Sequence, residues 1–278
     1  MKEADELFAR LNKDLKAASQ NMSVDEARYL VDSYYIMQES RKRASNQIRS
    51  MEIEPTQVIT WVAEASERLE DNIKMALDIY SSHSAVGKWI KSHYGIGPVI
   101  AAGLLAHIDI TRSPTVGHIW AYSGLDPSKK WNKGEKRPWN ASLKTLCWKI
   151  GQSFMKFSGE ERCYYGQLYK AQKAKYVARN DAGDYKARAA DILAAKKWNK
   201  STEAYKHMSV GKLPPAQIDA MARRWAVKLF LAHVHGWWYE HHYKKPAPLP
   251  YPMAILGHAH VIEPTAARAP KTTSDKAA

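Results

Sequence analysis

Gly95 and Gly97 flank a single apolar residue, Ile96, and Pro98, Val99 and Ile100 follow at once. A glycine pair lets the backbone turn tightly and approach another surface closely. Proline fits the first position of a helix. The spacing therefore predicts a helix ending near Ser92–His93, a tight turn, and an apolar helix running through Leu104 and Leu105. That is the pattern of a helix-hairpin-helix. The unpaired N–H groups at the start of the second helix would face an anion, and a nucleic-acid phosphate fits them. Contact through Gly95, Ile96, Gly97 and Val99 would grip a backbone without reading its sequence. The same residues would also serve as an ordinary corner between two packed helices.

A second group follows. Between Asp126 and Asn140, Lys129, Lys130, Lys133, Lys136 and Arg137 are interleaved with Trp131 and Trp139, and Lys144 lies just beyond. Cations between aromatic rings suit phosphate contact combined with base stacking. The two tryptophans could equally anchor the segment to the core. The chain of 278 residues has a net charge of +14, from 42 Lys and Arg against 28 Asp and Glu. Residues 1–90 hold 12 basic and 15 acidic side chains, whereas residues 129–212 hold 20 and 7. The excess thus follows the glycine turn, and it implies a polyanionic partner, DNA or a structured RNA. A solvated lysine-rich helical face is the competing reading.

Other chemistry is sparse. Cys147 and Cys163 match no metal-ligand spacing and make no disulfide framework, which suits a reducing, cytoplasmic setting. There is no signal-peptide core, lipidation motif or apolar run of membrane-spanning length, so no membrane partner is expected. No metal and no cofactor are expected. His233, His235, His241 and His242 crowd one helix end. His233 and His235 diverge on a helix, and such residues more naturally meet the helix dipole or pack on aromatics. His107, inside the apolar helix, reads as a packing residue.

The elements that must position these groups read as all-α. Residues 3–19 are amphipathic, and Ser23 with Glu26 forms a capping box for a helix running toward Ile48. Glu54–Pro55 opens a third helix through Val58, Ile73 and Tyr80. Ser113–Pro114 reads as the cap and first turn of a helix ending near Gly124. Helices are further expected over Ala141–Phe157, across 160–206 with a break at Asn180–Gly183, and from Pro214–Pro215 to Trp237–Tyr239. The expected organisation is a helical bundle or coiled-coil arm at 1–84, with dimerisation as its default role. A helix-hairpin-helix domain at 85–165 and a basic helical extension at 166–245 follow. A Pro/Ala-rich tail at 246–278 ends the chain, with its last 15 or so residues disordered.

The stretch from about 85 to 165 resembles the C-terminal domain of the DEDD transposases, the insertion-sequence-110 family of bridge-RNA-guided recombinases. The resemblance is carried by Gly95-Ile96-Gly97-Pro98-Val99, Ala101-Ala102, Leu104-Leu105, Ile108-Asp109, Ala121-Tyr122-Ser123-Gly124-Leu125-Asp126-Pro127, and Lys133-Gly134 before the Leu143–Ile150 helix. It implies DNA recombination or transposition. Members of this family begin with a RuvC-like domain holding four metal-binding carboxylates, and residues 1–90 show neither its strands nor its acidic constellation. The family also places a nucleophilic serine just before the glycine of its basic segment. Here Asn132-Lys133-Gly134 stands there, and Ser128 is the weak candidate for that role. The expectation is a transposase-like DNA-binding protein without autonomous catalysis. The alternatives are a serine-dependent recombinase needing a partner chain, or a mobile-element adaptor or inhibitor that docks an acidic protein.

Overall fold

The structure is a computed structural model, and it describes residues 11–51, 54, 57–250 and 262–264. The described residues contain α-helices and one short 3-10 turn, with no strand. The expected tail disorder, the opening of a helix at Glu54–Pro55 and the first residues of the 3–19 helix lie wholly or partly outside the described residues.

The helices divide into two units. Of the described residues, the first holds those up to 114 and 237–246, and the second holds 115–236, 247–250 and 262–264.

In the first unit, α1 (Lys13–Gln20) packs on α3 (Gln57–His83), and α2 (Val24–Ser50) packs along α3. The capping box at Ser23 is formed in both directions, Glu26 N–H to the Ser23 hydroxyl at 3.2 Å and Ser23 N–H to the Glu26 carboxylate at 2.7 Å. Arg41 and Glu70 join α2 to α3 at 2.6 Å. Burial pushes the Glu70 carboxyl up, and hydrogen bonds from Arg41, Gln38 and Tyr34 outweigh it, leaving the net shift downward. Two shorter helices complete the unit: α4 (Ala85–Lys91), capped by Ser84, and α5 (Pro98–His107). Val99 and Ala102 of α5 share one core cluster with Val31 of α2 and Ile73 and Leu77 of α3. Arg28 donates to the Ala106 carbonyl at 2.8 Å, satisfying a carbonyl at the α5 C-terminus.

Two buried histidines give this unit a pH response. Burial depresses both His93 and His107 below 6.5, so both are neutral in the folded chain near neutrality. Above pH 6.5 neither state gains a proton and the full stability is present. As pH falls below 6.5 the unfolded chain takes up protons first, so stability drops through the window just below that value. A urea midpoint at pH 5.5 lower than at pH 7.5 is expected. An equal or higher midpoint at pH 5.5 would contradict this account.

In the second unit, α6 (Val116–Tyr122) follows a 3-10 turn at Ile110–Arg112 that belongs to the first unit. The expected Ser113–Pro114 cap is not where the helix starts. Asp109 caps the 3-10 turn by accepting from Thr111 N–H at 2.9 Å, and Ser113 N–H closes that turn on Ile110. The N-cap of α6 is therefore Thr115, whose hydroxyl meets His118 Nδ1 at 3.0 Å. α7 (Ala141–Lys156) buries Leu143, Leu146, Ile150 and Phe154 on one face and packs on α8 (Tyr164–Asp181). Phe154, Tyr165 and Phe230 form an aromatic cluster with ring centroids 5.0–5.5 Å apart.

Helix breaks at Gly183 (φ 88°), then resumes as α9 (Lys186–Ala194) and α10 (Glu203–Ser209). The 160–206 stretch is thus three helices rather than a pair. Asn180 clamps the Leu213 backbone by both amide atoms, at 3.0 and 2.8 Å. α11 (Pro215–Tyr243) closes the order, and the boundary between the units falls within it at Gly236.

Candidate nucleic-acid interface

The glycine turn lies in the first unit. Gly95 has φ 94°, a left-handed conformation that side chains rarely adopt. It carries the chain from α4 back toward α5, and Ile96 N–H closes the turn on the His93 carbonyl at 3.0 Å. Gly97 is different. It is the N-cap of α5, with extended backbone (φ −92°, ψ 176°), it is exposed, and no atom lies within 4 Å of where a Cβ would stand. The side chains of Ile96 and Val99 are buried, so these two residues could meet a ligand through their backbone alone. Pro98 at the first position leaves the N–H groups of the following residues at an exposed helix start, where the positive end of the helix dipole favours an anion.

α4 is held in place by a residue that the spacing arguments missed. A Cβ on Gly87 would stand 1.9 Å from the Ser81 carbonyl oxygen and 2.9 Å from Leu105 Cδ1. Gly87 therefore lets α4 press against the end of α3 and against α5. A glycine inside a helical pattern was the available signal.

The basic segment lies in the second unit. Its entry is a tight helix end: Leu125 N–H donates to the Trp120 carbonyl at 2.8 Å and Gly124 N–H to Ala121 at 3.1 Å, with Gly124 at φ 66°. A Cβ at Gly124 would lie 2.9 Å from both Trp139 and Lys144. Its exit is fixed by Asn140, whose N–H donates to the Tyr122 carbonyl at 2.8 Å and whose side-chain amide donates to the Tyr122 hydroxyl at 3.1 Å. The Asn140 side chain also caps α7, accepting from Leu143 N–H at 2.8 Å.

Between these ends the two tryptophans part company. Trp139 is half-buried, packs beside Gly124, and carries the Lys144 ammonium 3.8 Å above its ring. Trp131 is 43% exposed and fixed only within the segment, where its N–H donates to the Glu135 carbonyl at 2.8 Å. Arg137 lies 4.8 Å over its ring. Tyr122, Lys136, Arg137, Pro138, Trp139 and Asn140 line an open cleft of about 470 Å³. Lys129, Lys130, Lys133 and Lys136 are all exposed.

The charge here has physical consequences. Partial burial depresses Lys144, and the like charges of Arg137 and Arg224 depress it further. Burial likewise depresses Lys228, which sits 4.2 Å over the Trp120 ring, against a weaker opposing pull from Asp126. Ser128 donates its hydroxyl to Asp126 at 2.8 Å, and its N–H donates to the same oxygen at 2.9 Å. These two bonds hold the Asp126 carboxyl below its usual range, which makes it a weak base toward that hydroxyl.

The histidines near the end of α11 pack as expected on aromatics. His241 stacks on Trp237 at 5.1 Å, and His242 meets Tyr243 edge-on at 4.6 Å. His233 bridges the Tyr165 hydroxyl at 2.8 Å and the Ile262 carbonyl at 2.7 Å. Among the described residues no three His, Cys, Asp or Glu are grouped to hold a metal, and no helix is long and apolar enough to cross a membrane.

No curated protein and no solved structure matches the chain. Residues 87–165, from Gly87 through the glycine turn and the basic segment to Tyr165, match the model of the transposase IS116/IS110/IS902 family, in keeping with the C-terminal region of those transposases.

Proposed function

We propose that this chain is a transposase-like nucleic-acid-binding protein of a mobile element, acting in DNA recombination or transposition. It grips backbone phosphates through the turn at 92–97, read as a helix-hairpin-helix, and through the segment 129–144. The observation that carries this reading is uncompensated charge. Lys129, Lys130, Lys133, Lys136, Arg137 and Lys144 make no ion pair among the described residues. A surface that concentrates cations without neutralising them binds polyanions and releases their counterions. The exposed Trp131 ring, with Arg137 beside it, supports stacking of an exposed base next to the phosphate contacts. The family match at 87–165 supports the transposase-like role. No catalytic step at Ser128 is part of the proposal.

The test is binding of the full chain to duplex DNA and to RNA across a salt series, with Gly97→Val alongside. Gly97 is the discriminating position because its extended backbone and empty surroundings admit a side chain, whereas the left-handed Gly95 does not. Wild type should lose affinity steeply with salt. Gly97→Val should melt with the wild type yet bind roughly tenfold more weakly, as expected when hydrogen bonds to a charged group are blocked. Binding that is weak even at low salt and equal in the two proteins would remove the proposal and point to an acidic protein partner.

A further inference from the structure

Cations outside the matched stretch are also left unpaired in the second unit. Arg188 on α9 reaches α11, its guanidinium lying 3.8 Å from Met221 Sδ. Met221 is one helical turn before Arg224, so both share a face of α11 and Arg188 stands beside that face. The nearby carboxylate is already committed. Asp219 takes Lys173 and Arg223 at 2.8 Å each, and the Tyr169 hydroxyl besides. Arg188 and Arg224 are exposed, and neither makes an ion pair among the described residues.

We infer that Arg188 and Arg224 form a phosphate-binding site that holds one stretch of nucleic-acid backbone. The inference rests on the binding role proposed above and extends it to residues that the family match does not reach. Electrostatics support it. Desolvation depresses Arg224, and Arg188 and Arg223 depress it further, while Arg224 in turn depresses Lys144. The Arg188 and Arg224 guanidinium charges thus repel one another, and a phosphate would relieve that repulsion. Two guanidinium groups suit a phosphate better than ammonium groups do, because each offers a planar fork of donors.

The experiment compares wild type with Arg188→Gln/Arg224→Gln and Arg188→Lys/Arg224→Lys in duplex-binding salt series, and adds a thermal-shift titration with pyrophosphate. Each lost phosphate contact flattens the salt slope by about 0.9. The glutamine variant should therefore be shallower by nearly 2 and weaker by on the order of 50-fold at 0.1 M salt. The lysine variant should recover most of the slope. Pyrophosphate should raise the melting temperature of wild type and not of the glutamine variant. Wild-type binding with an unchanged slope in the glutamine variant would overturn this site and leave the broader reading standing. If wild type binds no nucleic acid, the broader reading fails by itself. A pyrophosphate shift confined to wild type would then still support the anion site, and identical shifts in all three proteins would remove it.

Discussion

Replacing Lys129, Lys130, Lys133 and Lys136 together by glutamine is expected to weaken duplex binding by about three to four orders of magnitude at 0.1 M salt and to flatten the salt slope by about 3 to 4. Both figures follow from a slope of about 0.9 per neutralised phosphate. All four side chains are exposed and none is ion-paired among the described residues, so the substitutions break no ion pair there. Surface changes of this type move stability by about 0.5 kcal/mol or less. Affinity measured by anisotropy, with melting temperature as the control, checks both halves. An unchanged slope would mean that these lysines face solvent only, which is the solvated-face reading of the same residues. A large loss of melting temperature would mean that the segment has a structural role its exposure does not indicate.

Gly87→Val is expected to cost the first unit about 3 kcal/mol or more. Overpacking a close-packed site typically costs about 1–3 kcal/mol. Here the obstruction is a backbone carbonyl, not a flexible side-chain tip, since the Cβ would fall 1.9 Å from the Ser81 oxygen. α4 would have to leave the end of α3, and the turn at 92–97 would move with it. Denaturant unfolding reads the loss directly. A midpoint equal to wild type would show that α4 and α3 do not approach so closely. The contrast with Gly97→Val is informative. Both positions are glycines of one short segment, but one is closed by neighbouring backbone and the other opens on empty space. Their variants therefore separate a folding defect from a binding defect.

Much of this arrangement is legible in the sequence, for identifiable reasons. Leu143, Leu146, Ile150 and Phe154 recur at helical spacing because one face of α7 is buried, and a repeated constraint leaves a repeated signal. The Ser23–Glu26 box is legible because both of its bonds are local. Ser113–Pro114 misleads because a local preference lost to a competing local structure: the Asp109-capped turn takes Ser113 as its C-cap. The 160–206 stretch shows its break at Gly183 but not its second interruption, since α9 and α10 are set by packing around Tyr185, Ala189, Met208 and Leu213. The two tryptophans of the basic segment look alike in sequence. Only the approach of Gly124 to Trp139 makes one a support and leaves the other exposed. Arg188 and Arg224 are invisible to any reading of neighbours along the chain, because α9 and α11 bring them together through Met221.

The basic segment begins and ends at one place, since Tyr122 and Asn140, 18 positions apart, hold each other by backbone and side chain. Its span is therefore clamped at the base like a cassette in a frame. Lengthening a loop whose ends are already joined costs only about 0.6 kcal/mol for each doubling. Residues between Pro127 and Pro138 could thus be exchanged, extended or shortened while α6 and α7 keep their places. Such a layout makes this stretch the natural place to graft new recognition properties, by an engineer or by drift, without rebuilding the helices around it.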